Sequence, residues 1–131
     1  MTTTIADFMS PVPLTIGKQQ TLAVAHEMMR RKQVRHLPVL EEGRLVGVVS
    51  LGDLHLVETL PDCPPDGVLV CEAMTSNPYS VSPDAPLAEV ARVMAERKIG
   101  CALVMDNGHV AGIFSTVDAL DALASMLDLE V

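Results

Sequence analysis

Serine and aspartate recur three residues apart at two places in the chain, each time directly after an apolar run. The two segments are Gly47-Val-Val-Ser50-Leu-Gly-Asp53-Leu and Gly112-Ile-Phe-Ser115-Thr-Val-Asp118-Ala. The spacing is typical of a helix capping box, in which the serine and the acidic side chain exchange hydrogen bonds with early helix amides. The same geometry suits ligand chemistry, because a helix N-terminus attracts phosphate and a nearby carboxylate accepts ribose hydroxyls. One copy of the motif does not decide between these two interpretations.

Both motifs belong to a longer internal repeat, since residues 9–55 align with residues 74–120 at a constant offset without a gap. Ten of the 47 aligned pairs are identical, whereas average composition predicts about three. The identical pairs are Met9/Met74, Pro13/Pro78, Leu22/Leu87, Ala23/Ala88, Met29/Met94, Val39/Val104, Gly43/Gly108, Gly47/Gly112, Ser50/Ser115 and Asp53/Asp118. Each copy has about 50 residues, at the margin for an independent core. We therefore expect the two copies to pack on each other and share one core.

The elements that must position the motifs follow from the hydrophobic periodicity, which predicts strand, helix, strand, strand and helix in each copy. Copy one has predicted strands at residues 14–16, 34–40 and 45–49, and helices at residues 22–32 and 52–60. Copy two has a predicted helix from Leu87, strands at residues 99–105 and 110–114 joined by Asn107-Gly108, and a helix at residues 117–129. Several prolines predict a linker at residues 61–70 between repeats at residues 1–60 and 71–131.

Composition excludes several classes of partner. The net charge of −8 argues against nucleic acid and against anionic membranes. The chain has an odd number of cysteines, Cys63, Cys71 and Cys101, and their spacing is not that of metal ligands. This favours a reducing cytoplasm over a disulfide scaffold, and no metal site is expected. Cys101, in an apolar strand, is interpreted as a buried hydrophobe, and a redox role stays open. The first residues lack a signal-peptide pattern, and no apolar run is long enough to span a membrane.

The complete set of motifs resembles the cystathionine-β-synthase (CBS) domain, present as a tandem pair known as a Bateman module. Met-Ser-x-x-Pro (9–13) and Met-Thr-x-x-Pro (74–78) precede the first strands, Val-Arg-His-Leu-Pro-Val (34–39) opens a strand, and the Ser–Asp motif closes each copy. The resemblance covers roughly residues 7–57 and 72–123. It implies an α/β (α+β) fold of two β-α-β-β-α repeats, packed sheet to sheet with pseudo-two-fold symmetry.

The resemblance also implies two clefts that bind AMP, ADP, ATP or S-adenosylmethionine, each drawing on both copies, with no cofactor required. The main cleft would contain Asp118, Ser115, Ile113, Ser10, Leu14, Val34, Arg35 and His36. The second cleft would contain Asp53, Ser50, Val48, Thr75, Tyr79, Ile99, Gly100 and Cys101. In the main cleft Arg35 can bind phosphate bidentately and His36 can add a donor, whereas the matching Gly100 and Cys101 offer no cation. The main cleft is therefore predicted to be the better phosphate site.

The function implied is that of a non-enzymatic cytoplasmic sensor that acts on an effector protein in trans. We expect a homodimer, because Leu120, Leu123, Ala124 and Leu127 form an apolar stripe on the last helix. The alternative is a structural dimerisation or interaction module with clefts that are vacant or hold other molecules. An enzyme is the third possibility, and no nucleophile–base pair at meaningful spacing supports it.

Overall fold

The computed structural model describes residues 3–11 and 14–129 of the chain, and Pro13 of the first motif lies outside these residues. Within them the chain forms eight strands, five α-helices and two 3-10 turns. The strands are β1 (Ser10–Pro11), β2 (Ile16–Gly17), β3 (His36–Glu41), β4 (Arg44–Ser50), β5 (Thr75–Ser76), β6 (Ser80–Val81), β7 (Cys101–Asp106) and β8 (His109–Ser115). The helices are α1 (Leu22–Lys32), α2 (Leu51–Glu58), α3 (Val70–Ala73), α4 (Leu87–Arg97) and α5 (Thr116–Asp128).

The strands form two four-stranded sheets, in the orders β1-β8-β7-β6 and β2-β3-β4-β5, which confirms the predicted α/β class. In each sheet a short strand runs parallel to the first strand of an antiparallel hairpin. The fourth strand is antiparallel to the second hairpin strand. The sequence predicted only three strands per copy, and the fourth strand comes from the leading segment of the other copy.

The exchange of leading segments gives two compact units that differ from the two sequence repeats. The Asp118 unit comprises the described residues 3–11 and 79–129, and the Asp53 unit comprises residues 14–78. Strand β1 of copy one thus pairs with β8 of copy two, and β5 of copy two pairs with β4 of copy one. The predicted linker at residues 61–70 separates the two sequence repeats, whereas the boundaries of the two compact units lie elsewhere in the chain.

A glycine permits the close approach of each exchanged segment. A Cβ atom at Gly112 would lie 2.7 Å from Met9 Sδ and 2.8 Å from the carbonyl oxygen of Ser10. A Cβ atom at Gly47 would lie 2.6 Å from Met74 Sδ and 2.7 Å from the carbonyl oxygen of Thr75. Real Cβ atoms do not approach other atoms so closely, so only glycine fits at these two positions. The contact between methionine and glycine therefore accounts for two identical pairs of the repeat, Met9/Met74 and Gly47/Gly112.

Helix α1 spans the predicted residues, but the strand after it begins two residues later than predicted. Gln33 ends α1 in the left-handed conformation, with φ 54°, and the amide of Val34 donates to the carbonyl of Met29. Lys98 ends α4 in the same way, with φ 56°. In each copy the residues after the helix therefore form a turn before β3 or β7 begins. The hairpin turn at Asn107-Gly108 is confirmed by its two positive φ angles.

Each unit has its own cluster of buried apolar side chains, and the packing of the two copies on a shared core stays a prediction. In the Asp53 unit, helix α1 packs Leu22, Ala25 and Met29 into a cluster that also holds Val70, the first residue of α3. In the Asp118 unit the cluster is built around Phe114 and, within the exchanged N-terminal segment, Ile5. The exchanged segments enlarge both clusters, which explains why two cores form where about 50 residues alone would be marginal.

Candidate ligand-binding site

Both Ser–Asp motifs form complete capping boxes at helix N-termini. At α2 the backbone amide of Ser50 donates to Asp53 Oδ2 at 2.8 Å, and the amide of Asp53 donates to Ser50 Oγ at 3.1 Å. At α5 the amide of Ser115 donates to Asp118 Oδ2 at 2.8 Å. The structural interpretation of the motif is therefore confirmed. It does not exclude ligand binding, because a carboxylate offers about four acceptor positions and a capping box uses only some of them.

The Asp118 cluster consists of Ser10, Ile113, Ser115 and Asp118, all within the Asp118 unit. Pairing of β1 with β8 sets Ser10 opposite Ile113. From this position the hydroxyl of Ser10 donates to Asp118 Oδ1 at 3.1 Å. The exchange of leading segments thus brings a residue from the start of the chain to a carboxylate near its end.

The Asp53 cluster consists of Val48, Ser50, Asp53 and Thr75, all within the Asp53 unit. Pairing of β4 with β5 sets Thr75 opposite Val48, as Ser10 is set opposite Ile113. The two clusters therefore share one backbone arrangement. They differ in their side-chain bonds, since within the described residues of this unit no hydroxyl donates to Asp53 Oδ1.

The remaining residues of each predicted set lie in the other unit. Leu14, Val34, Arg35 and His36 belong to the Asp53 unit, and Tyr79, Ile99, Gly100 and Cys101 belong to the Asp118 unit. Within its own unit His36 pairs with Ser50 across the hairpin, and the amide of Leu51 donates to the carbonyl of Arg35. The membership of the two predicted sets stays a prediction.

Charge at the start of β3 differs from charge at the start of β7. Burial lowers the pKa of His36, the positive charge of Arg35 lowers it further, and the carboxylate of Asp53 partly opposes both. The ring is therefore a neutral hydrogen-bonding group near pH 7. At the matching position, burial raises the pKa of the Cys101 thiol to about 11. Cys101 is thus a neutral, weakly polar residue, in keeping with its interpretation as a small hydrophobe.

Arg97 partly occupies the face of Tyr79, the aromatic side chain of the second predicted set. The guanidinium carbon of Arg97 lies 5.4 Å from the ring centroid, a cation–π distance. The backbone carbonyl of Tyr79 accepts a hydrogen bond from the amide of Leu103. An aromatic ligand at this ring would either share its face with Arg97 or displace that side chain.

The described residues contain neither a cluster of metal ligands nor a helix that could span a membrane. Residues 3–11 and 14–129 contain no group of three or more histidine, cysteine, aspartate or glutamate side chains positioned to hold a metal ion. No described helix combines the length and apolar character needed to cross a membrane.

The sequence analysis did not assign a role to Met9 and Met74, although both were identical in the repeat. Their side chains lie against Gly112 and Gly47, directly beside the residues of the two clusters. The signal was the joint repetition of methionine and glycine, which becomes interpretable only when the exchanged pairing is known.

Comparison with known proteins agrees with this architecture. A family model for the CBS domain matches residues 5–57 and 70–125. A CBS domain-containing protein of Dictyostelium discoideum is 27% identical over 135 residues, which cover 95% of this chain and 93% of that protein. The crystal structure of CBSX2 in complex with AMP is 28% identical and has a TM-score of 0.79, covering 94% of this chain and 97% of that chain. The CBS domain pair of MJ0100, in complex with 5′-methylthioadenosine and S-adenosyl-L-methionine, is 25% identical and has a TM-score of 0.83, covering 92% and 99%. Because the two matched segments make up most of the sequence, the chain belongs to the CBS domain family and carries the domain twice.

Proposed function

We propose that this protein is a regulatory module that binds adenosine ligands, with AMP, ADP, ATP and S-adenosylmethionine as candidates. The observation that carries the proposal is the pair of carboxylates, Asp53 and Asp118, at two helix N-termini. At such a terminus, amide groups and the helix dipole favour phosphate, and the carboxylate accepts ribose hydroxyls. The AMP and S-adenosyl-L-methionine complexes of the similar structures support the same ligand class.

Arg35 is the cation that we propose for the phosphate group. Its side chain is exposed and forms no ion pair with the residues that the structure describes, whereas Arg30 and Arg31 both lie near Glu27. The charge of Arg35 is therefore available to a ligand. The proposal keeps Arg35 in the set with Asp118, as the resemblance implies, and gives that set the stronger preference for phosphate.

Thermal denaturation with AMP, ADP, ATP and S-adenosylmethionine tests ligand binding directly. A ligand at 100 times its Kd stabilises the folded state by about 2.7 kcal/mol, which raises Tm measurably. Absence of a shift with all four ligands would favour the structural alternative, in which the module acts through protein contacts alone.

Aspartate-to-asparagine variants test the ribose role without removing the capping box. In Asp53→Asn or Asp118→Asn the amide oxygen retains the bond from the serine amide, while the amide nitrogen cannot accept a ribose hydroxyl. Each variant should weaken AMP binding at one site and leave Tm without ligand nearly unchanged. The affinity gained from the phosphate is the ratio of AMP affinity to adenosine affinity. An equal loss of this ratio in the two variants would contradict the stronger preference for phosphate that we propose for the Asp118 set.

The phosphate role is tested by Arg35→Ala, with Arg44→Ala as an exposed arginine control in the same unit. Loss of a charge-assisted hydrogen bond should weaken AMP binding by at least about tenfold and adenosine binding much less. Equal loss for AMP and adenosine, or the same loss in Arg44→Ala, would remove Arg35 from the phosphate site.

We further propose that the module forms a homodimer through α5 and passes its ligand state to a partner protein. Leu120, Leu123 and Leu127 are 64%, 53% and 54% exposed along one face of α5. Beside them, alanines of α4 and α5 line a groove of about 380 Å³. Small residues let a second helix approach closely, and covering leucines is favourable. Light scattering should find a dimer for the wild type and for Ser125→Glu, and a monomer for Leu123→Glu; a monomeric wild type would contradict the proposal.

A further inference from the structure

The carboxylate of Asp118 accepts three hydrogen bonds within its own unit. Its Oδ2 atom accepts from the amide of Ser115 at 2.8 Å and from the hydroxyl of Ser115 at 3.2 Å. Its Oδ1 atom accepts from the hydroxyl of Ser10 at 3.1 Å. Only the bond from the Ser115 amide belongs to the capping box, so the bonds from the hydroxyls of Ser115 and Ser10 are both additions to the pattern shared with Asp53.

The carboxylate of Asp53 is much less engaged, although the backbone around it is the same. Its Oδ2 atom accepts from the amide of Ser50 at 2.8 Å. In the part of the Asp53 unit that the structure describes, no other donor bonds to this carboxylate. Thr75 takes the place of Ser10 in the strand pairing but does not bond to Asp53.

The difference matters for a ribose, whose 2′ and 3′ hydroxyls each need one acceptor position. A carboxylate has about four such positions. Three are used at Asp118, which leaves one, and one is used at Asp53, which leaves three. Asp53 therefore accepts both hydroxyls as it stands, whereas Asp118 lacks one position until a present donor leaves.

Ser10 is the donor that leaves most easily. The amide of Ser115 is fixed by β8 and α5, and the hydroxyl of Ser115 also accepts from the amide of Asp118. Ser10 is exposed, lies in a strand of two residues, and frees Oδ1 by rotation about one side-chain bond, after which water satisfies its hydroxyl.

We propose that Ser10 is a specificity-determining residue, whose hydroxyl competes with ribose for Asp118 and makes Asp53 the more readily available ribose acceptor. The inference rests on the proposed function and deepens it. The competition lowers the affinity of the Asp118 site for any ligand with an intact ribose diol. It does not affect a ligand with a single ribose hydroxyl, because one acceptor position is already open.

The experiment isolates the Asp118 site in an Asp53→Asn background and compares Ser10 with Ser10→Ala by calorimetric titration. AMP and 2′-deoxy-AMP are the probes. Removing the competing hydroxyl should tighten AMP binding about two- to tenfold, the value of one exposed hydrogen bond. Binding of 2′-deoxy-AMP should stay the same, so the ratio of the two affinities rises. Ser76→Ala, which removes an exposed hydroxyl from β5, is the matched control and should change neither affinity.

Two outcomes would overturn the inference, and they are distinguishable from each other. If AMP binds the Asp53→Asn protein and Ser10→Ala weakens or does not alter that binding, Ser10 is a ligand contact or a bystander, and the proposed function stands. If AMP binds neither the wild type nor any of these variants, the ribose site and its control by Ser10 both fail.

Discussion

Replacing Gly112 with alanine should destabilise the protein by forcing β1 away from β8. The added methyl group would lie 2.7 Å from Met9 Sδ and 2.8 Å from the carbonyl oxygen of Ser10. The methionine side chain is flexible, but the carbonyl belongs to the paired strand and moves only if the pairing opens. Overpacking of this kind costs about 1–3 kcal/mol, and the lower entropy of the unfolded alanine chain offsets about 0.4–1 kcal/mol. The difference between these ranges is about 0–2.6 kcal/mol, and because one clashing atom is a backbone carbonyl the lowest values do not apply, so the net loss is about 1–2 kcal/mol.

This loss corresponds to a clear change in melting temperature. With an unfolding entropy of about 2.1 cal/mol/K per residue, a chain of 131 residues loses about 4 °C for each kcal/mol. Gly112→Ala should therefore lower Tm by about 4–8 °C. Gly52→Ala is the matched control, since its methyl group would lie 3.6 Å from Ser50 Oγ, an ordinary contact, inside α2. That variant should be neutral or stabilised by up to about 1 kcal/mol.

Hydrogen exchange then locates the effect. The amides of residues 8–10 should exchange faster in Gly112→Ala than in the wild type, while the amides of α1 should not change. Gly47→Ala should show the corresponding effect at residues 74–76, because its methyl group meets Met74 and Thr75. An unchanged Tm together with unchanged exchange at residues 8–10 would refute the close packing of the exchanged segment.

Three further predictions concern single side chains. Ser50→Ala removes the hydroxyl that caps α2 and should reduce the free energy of unfolding by about 1 kcal/mol in urea titrations; no change would mean that the cap bond is not stabilising. Burial raises the pKa of Cys101 to about 11, so iodoacetamide at about pH 8 should label Cys63 and Cys71 before Cys101 in the native protein. Mass spectrometry identifies the labelled residues, and labelling of Cys101 first would contradict this prediction. Because burial lowers the pKa of His36, the unfolded state binds the proton more readily, so stability should fall as pH decreases below about 6.5. Tm should then drop more for the wild type than for His36→Gln between about pH 7.5 and pH 5.5, and equal drops would exclude His36 as the cause.

Local chemistry allowed part of the fold to be predicted from the sequence. Helix α1 has a threonine cap and apolar residues at helical spacing, and its observed bounds agree with the prediction. The Asn107-Gly108 turn was predictable because those residue types accept positive φ. Gln33 and Lys98 adopt positive φ without such a signal, so the two-residue delay before β3 and β7 was not predictable.

The exchanged strands could not be read from periodicity. Strands β1 and β5 have two residues each, too few to show an alternating pattern, and a proline occupies one of them. Their partners lie in the other repeat, so no local signal indicates the pairing. The contact of Ser10 with Asp118 joins residues 108 positions apart, and only the family resemblance grouped them in one set.

The exchange also has a chemical consequence for the candidate sites. The segment that brings Ser10 to Asp118 is held by β1, by the contact of Met9 with Gly112, and by Ile5, which is buried and whose amide donates to the carbonyl of Ala85. A ligand that displaces the hydroxyl of Ser10 therefore removes the side-chain bond between β1 and α5, whereas a ligand at Asp53 breaks no such bond within the described part of its unit. Ligand stabilisation at the two sites should consequently differ even for equal contacts with the ligand. The repeated Ser–Asp motif makes the two sites alike in backbone, and the unrepeated hydrogen bond of Ser10 makes them unlike in their coupling to the fold.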